Sequence, residues 1–481
     1  MKNTKSFLST GFDTSMAHMT IKDVHRSFLK SDINQRISRL NFIVIAGVTI
    51  FLYFDLSIDL VFLQLIGGYL IKVWVPPLIL LSMLLFRKAM GKDSSSLNLN
   101  ISNLMLFLYA LFGLTAMLYH HEVLLMIKYY LIMIAPVWFY YVLTRTLNNN
   151  RDVELMLKVI FACCVFYSFE TTYLNFLYLS NPALTFELKT SAGNVVGGSG
   201  FSELKIQGDM ISRGFFLVEN SRYCGMLLPG VLFGILLFVI SNAKIRYLYI
   251  LLSMFMIMTM LIGMSRSGIA AAFVGVAVLL WSLIRYSNIK KSIILLYSSL
   301  IILGLAAYFI TAEKNTQIRF AQIIHAADIE FVSDFLNAYD LIDSNLAAIE
   351  DPHIQTISQS FEAFLDNPIM GAGYTYVNEQ IQEHNRYLFI LASSGILAFL
   401  AYVVFFVTQT AVTGKMLQKY ARSDDPMIKY GYLYYACNIM VLVKLMVEGP
   451  EGFYYWIIFA LSSAWARNLN RDQRCPVNKL H

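Results

Sequence analysis

Apolar runs long enough to cross a bilayer recur about twelve times along this chain, and every second connection between them is basic. The runs lie near 41–57, 70–86, 101–119, 123–142, 156–178, 224–241, 246–263, 267–284, 292–310, 387–409, 429–447 and 452–467. Crossing about 30 Å of hydrocarbon takes roughly 20 apolar residues as a helix. The short alternating strands of a membrane barrel are not what these runs look like. The expected class is an all-α polytopic membrane protein with about 12 transmembrane helices. Composition agrees, since 57% of the 481 residues are apolar and 14% charged, too few charges to clothe a soluble protein of this size. The second run is the weakest: Lys72 and Pro76-Pro77 interrupt it, and 62–69 reads as a re-entrant or interfacial piece.

Twenty-five of the 37 basic residues fall in the N-terminal tail, the C-terminal tail and alternate short connections. By the positive-inside rule, these segments are cytoplasmic and both termini with them. The net charge of +6 is then a topology signal and gives no reason to expect nucleic acid as a partner. A cytoplasmic tail is expected over 1–40, an integral membrane domain over 41–467 and a second tail over 468–481. About 40 polar residues precede the first run, so no cleavable leader is expected. The five cysteines show no CxxC or Cys/His metal spacing and no disulfide framework, and no metal or other cofactor is expected.

Two long outward loops are expected, about 179–223 and 311–386. Loops of that length usually carry function. In the second, Ile354, Ile357, Phe361, Phe364 and Leu365 recur at helical spacing, predicting a helix that lies on the membrane or on the bundle. Asn367-Pro368 ends it, and Gly371 and Gly373 supply a tight turn. The chain then runs through His384-Asn385 into an apolar helix without pause. A titratable His and Arg386 are thus expected where a polar loop meets the membrane. An imidazole with a free pKa of about 6.5 suits general-base work there.

Twelve basic residues do not follow the topology pattern. Arg213 and Arg222 lie in the first outward loop, Arg266 in a short outward turn, Arg319 and Arg386 at either side of the second loop, and Lys128 and Lys444 inside runs. Guanidinium groups gathered on one membrane face offer bidentate donors to phosphate, and helices starting near Asn220 and Ser267 add N–H groups. Plainer roles exist for each. Arg222 and Arg386 can snorkel to headgroups, Arg266 can sit beside a helix cap, and Lys128 and Lys444 can pair with Glu170 or Glu448. His120, His121, His325 and His353 read as solvated loop residues. Glu448 and Glu451 can cap helices or orient a base or a sugar.

Three stretches resemble the O-antigen ligase/polymerase superfamily of bacterial inner-membrane glycosyltransferases. These are Arg213-Gly214-Phe215 followed by Asn220, then Ser265-Arg266-Ser267-Gly268, then Pro368-x-x-Gly371-x-Gly373 with His384-Asn385 and Gly395-Ile396-Leu397. The resemblance covers roughly residues 205–405. It departs from the family in the compact stretch after Arg213, which leaves Arg213 and Arg222 as alternatives for one role, and in a large loop without Trp. It implies a GT-C-like helical fold and a polyprenyl-pyrophosphate-linked oligosaccharide donor bound at the periplasmic face. By position, Arg213 and Arg266 would hold the pyrophosphate and His384 would activate the acceptor hydroxyl. Arg222, Arg319, Arg386, Asn385 and Glu448 complete the candidate substrate-binding set.

The leading expectation is a polymerase that transfers a lipid-linked glycan to the sugar hydroxyl of another lipid-linked repeat unit. Partners would be that donor, the glycan acceptor, membrane lipids, a chain-length regulator and a flippase. A ligase would use the same donor with lipid A–core as acceptor. A transporter of lipid-linked glycan would instead place charges along a midplane cavity between repeats, and no repeat is visible. A non-catalytic scaffold would tolerate loss of His384.

Overall fold

A computed structural model describes residues 43–50, 68–89, 101–115, 123–180, 220–241, 244–262, 266–286, 352–381, 385–420, 426–446 and 453–474. Among these residues every regular element is a helix. After a helical stretch over 43–50 come α1 (Gly68–Ala89), α2 (Ile101–Thr115), α3 (Val123–Thr146), α4 (Asn150–Ser180), α5 (Asn220–Ile240), α6 (Arg246–Ile262) and α7 (Arg266–Tyr286). Then follow α8 (Pro352–Asp366), a π-helix (Tyr376–Ile381), α9 (Arg386–Tyr420), α10 (Pro426–Lys444) and α11 (Phe453–Arg474). Each expected run except 292–310 overlaps one of these helices, and that run lies outside the described residues. α1 continues through Pro76-Pro77, although the pair removes two backbone donors. By length and composition, Gly268–Arg285 and Arg386–Tyr420 can each cross a membrane, and shorter apolar helices cover Trp74–Leu85, Ile101–Leu114, Cys224–Ile240 and Arg246–Met260.

Packing follows residue size and polarity. α9 lies along α2, α7 along α10, α5 along α6, and α3 along α1 and α11. Gly431 lets α10 close on the Trp465 ring of α11, where a Cβ would meet that ring at 2.5 Å. The Trp465 indole N–H donates to the Met427 carbonyl at 2.8 Å. An aromatic cluster joins α3, α9 and α11. In it the Phe406 and Phe459 rings lie 4.5 Å apart and the Tyr140 and Phe405 rings meet edge-on at 5.1 Å. On the outside, Leu104, Phe107, Leu111 and Leu114 of α2 and Leu397, Leu400, Val404 and Val407 of α9 form exposed apolar stripes at helical spacing.

Beside the aromatic cluster runs a buried polar network. The Gln409 amide donates to the Ser102 hydroxyl at 2.5 Å and the Tyr140 hydroxyl at 2.9 Å, and its carbonyl accepts from Ser463 at 2.6 Å. One turn on, Thr413 and Ser462 share a hydrogen bond of 2.7 Å, and the Asn438 amide donates to Ser462 at 3.0 Å. Five helices, α2, α3, α9, α10 and α11, are held in register this way.

The 35 residues of α9 would span about 52 Å if straight. They are not straight. Gly395 has φ 75° and ψ −179°, which no helix contains, and it separates 386–394 from 396–420. The Tyr387 and Tyr402 rings nevertheless lie 6.3 Å apart, although fifteen helical residues would separate their Cα atoms by about 22 Å. The segment 386–394 therefore turns back toward the bundle. The single apolar helix expected after His384-Asn385 is corrected accordingly: the run is two helices broken at Gly395, and the first folds back toward the second.

Candidate functional site

The site is built around that break. α8 is amphipathic, as its spacing predicts, and packs on α9 and the π-helix. It ends at Asp366 before Asn367-Pro368, and the Asn367 N–H closes on the Phe364 carbonyl at 3.1 Å. The turn 367–373 then reverses the chain through positive φ at Gly371 (75°) and Gly373 (95°). Here the turn fastens to the broken helix. In an unbroken helix the Ile396 N–H would donate to the Ala392 carbonyl. Instead Ile396 donates to the Pro368 carbonyl at 2.9 Å, and the Ala392 carbonyl accepts from Ala372 at 2.7 Å. The Ser393 carbonyl accepts from Gly373 at 3.1 Å. The backbone groups released by the break are thus taken up by the turn, as nonpolar surroundings demand. The approach is so close that a Cβ on Gly395 would overlap the Ile369 carbonyl, and one on Gly371 the Ser393 backbone.

At the other end of 386–394, Asn385 caps the helix. Its side-chain oxygen accepts from the N–H groups of Tyr387 at 3.0 Å and Leu388 at 3.2 Å. The Arg386 N–H donates to the Leu445 carbonyl at 3.0 Å, and the Tyr387 hydroxyl to the Leu442 carbonyl at 3.0 Å. An orphan donor at one helix start thereby meets orphan acceptors at the end of α10.

Arg386 is 2% exposed, and its guanidinium carbon lies 4.9 Å from the centre of the Phe389 ring. A snorkelling, lipid-facing Arg386 is therefore excluded. The chain folds it into the bundle instead of leaving it at the headgroups. Lys444, at the end of α10, is fully buried. The Arg386–Leu445 bond brings these two cation-bearing helix ends together.

Other sequence-predicted residues come to the same end of the bundle. α5 starts at Asn220, so Arg222 lies in its first turn, and a Cβ on Gly225 would meet the Tyr454 hydroxyl at the start of α11. The Cys224 thiol lies 3.5 Å from the Met260 carbonyl near the end of α6, and Arg266 opens α7 a few residues later. Gly275 of α7 faces Met440 of α10. Helix starts bearing Arg222, Arg266 and Arg386 and a helix end bearing Lys444 are thus collected at one end. Helix starts favour anions through their dipoles, although at the start of α9 the N–H groups of Arg386, Tyr387 and Leu388 are already taken by Leu445 and Asn385. Arg213, Arg319, His384 and Glu448 lie outside the described residues. Asn385 uses its side-chain oxygen for the cap. Sequence reasoning left Lys444 out of the site, although a charge inside an apolar run was the signal for it.

Residues 250–403 match the family model of the O-antigen ligase domain. That supports the O-antigen ligase/polymerase superfamily assigned from the motifs. Members of that family are membrane proteins and glycosyltransferase-type enzymes that act on lipid-linked glycans. The matched stretch begins in α6, ends just past Tyr402 in α9, and contains Arg266, Arg319, His384, Asn385 and Arg386. Arg213, Arg222, Lys444 and Glu448 lie outside it. No curated protein matches the chain.

Proposed function

We propose that this protein is a polymerase of a bacterial surface polysaccharide, working at the periplasmic face of the inner membrane. It takes a glycan from polyprenyl pyrophosphate and joins it to a sugar hydroxyl of another lipid-linked repeat unit. The observation that carries this reading is the gathering of Arg222, Arg266, Arg386 and Lys444 on helix ends at one end of the bundle, two of them buried. Buried cations in a membrane protein mark substrate and ion paths, and pyrophosphate is the anion such a donor brings.

In the step itself, the acceptor oxygen forms a bond to the donor's anomeric carbon. The bond from that carbon to the pyrophosphate oxygen breaks, and polyprenyl pyrophosphate leaves. The acceptor proton passes to the base, for which His384 is our choice. Pyrophosphate is a good leaving group, so the protein has two tasks: neutralising its charge and holding the acceptor in line. Arg266 with Arg213 or Arg222 serves the first, and Arg319, Arg386 and Glu448 line the path. The integral domain spans 41–467 between cytoplasmic tails, with about 12 crossings, and a flippase and a chain-length regulator would work beside it.

The test is a gel of surface glycan from a strain lacking the gene. Core carrying a single repeat unit is the expected result. Bare core with long lipid-linked glycan accumulating would make the protein the ligase, the reaction named by the matched family's description. An unchanged glycan ladder, with every other surface polysaccharide also unchanged, would sink the transfer reading.

A further inference from the structure

The segment 386–394 is pinned at both ends by hydrogen bonds. Its start is held by the Asn385 cap, the Arg386–Leu445 backbone bond and the Tyr387 hydroxyl on the Leu442 carbonyl. Its end is held by the three backbone bonds between the turn 367–373 and residues 392–396, made possible by glycine at 371 and 395. Between the fastenings lies a helix of nine residues, too short to be stable alone. Its flank is covered by Tyr374, whose ring meets Phe389 edge-on at 4.9 Å, and by Tyr402. Arg386 is its first residue, and His384 precedes its cap in the chain.

We infer that 386–394 is a positioning strut and that Asn385 and Gly395 are its two positioning residues, with Asn385 acting through the helix it caps. The inference rests on the glycan-transfer reading. It reassigns Asn385 from substrate binding to helix capping, since its side-chain oxygen accepts from two backbone N–H groups. The chemistry explains the need. A cation held for a developing pyrophosphate must keep its place within a fraction of an ångström, and a misplacement of about 1 Å costs roughly a hundredfold in rate. A strut fixed by backbone bonds at each end supplies that rigidity without placing another polar side chain in the site.

The experiment compares Asn385→Ala with Asn385→Asp in the full chain reconstituted in liposomes with a lipid-linked repeat unit. Aspartate caps a helix as well as asparagine and alanine does not. As a substrate ligand, however, aspartate would bring a negative charge toward a pyrophosphate. The expected result is turnover within about threefold of wild type for Asn385→Asp and at least roughly tenfold lower for Asn385→Ala, with donor KM little changed in either. Hydrogen exchange at the Tyr387 and Leu388 amides should quicken in Asn385→Ala alone, a readout independent of turnover. Two outcomes overturn the inference: Asn385→Asp as inactive as Asn385→Ala, or both as active as wild type. A wild-type chain that transfers no glycan in this assay removes the transfer reading and the inference with it. Exchange rates that still separate the two variants would leave the cap itself established.

Discussion

Gly395 shows how one residue decides the site. Its φ of 75° with ψ of −179° belongs to a region open almost only to glycine, and any Cβ there would overlap the Ile369 carbonyl. Gly395→Ala should therefore cost at least about 1–3 kcal/mol in backbone strain alone and displace the turn as well. Thermal unfolding in detergent checks this against Gly414→Ala on the same helix, where a Cβ meets the Tyr435 ring at an easier 3.1 Å. Equal melting temperatures for the two variants would refute the strained-glycine account. Gly395 was visible in the sequence as a motif position but not as a break. Inside Ser-Ser-Gly-Ile-Leu it reads as a tolerated glycine in an apolar helix, and only the partners of the released carbonyls reveal otherwise. Gly371 and Gly373 were legible, because a proline-flanked turn needs positive φ. The burial of Arg386 was not, since it follows from the chain turning back at Gly395.

At the scale of elements, α8 and its stop at Asn367-Pro368 could be read from spacing and from the constraint proline places on its neighbour. The network around Gln409 could not. Ser102, Tyr140, Gln409 and Asn438 stand on four different helices and Ser462 and Ser463 on a fifth, and nothing in the spacing of these helices ties one to another. This network lies far along α9 from the Arg386 fastening and shares no residue with it. Gln409→Leu keeps the volume near its original value and removes three hydrogen bonds, leaving Ser102 with one partner fewer. Interhelical polar contacts in membrane proteins contribute about 0.6–2 kcal/mol, so a loss of about 1–2 kcal/mol is expected. Turnover per folded molecule should stay near wild type. A melting curve and a turnover assay on one preparation decide it, and a large loss of turnover without loss of stability would show that the two ends of α9 are coupled.

Over the whole molecule, the bundle has two chemically different ends. At the end away from Arg386, Arg467 and Arg471 of α11 donate to the Leu147 and Asn148 carbonyls in the turn between α3 and α4. The Tyr430 hydroxyl at the start of α10 donates to Glu154 near the start of α4 at 3.2 Å. Lys244 and Arg246 lead into α6, while Arg285 closes α7 and Lys415 and Lys419 lie in the last turns of α9. The alternating basic connections read from the sequence are thus brought together by packing, as the positive-inside rule requires if that end faces the cytoplasm. The Arg386 end would then face outward, where lipid-linked glycans are exposed. Single cysteines report this directly. Cys163, Cys164, Cys224 and Cys437 are buried, so replacing Cys475 leaves a chain in which an added surface thiol dominates labelling. Met446→Cys, exposed just beyond α10, should react with a membrane-impermeant maleimide in intact spheroplasts. Asn470→Cys, exposed in the last turns of α11, should react only after permeabilisation. The reverse pattern would turn the Arg386 end inward, away from any periplasmic acceptor, and the polymerase and ligase readings would fail together.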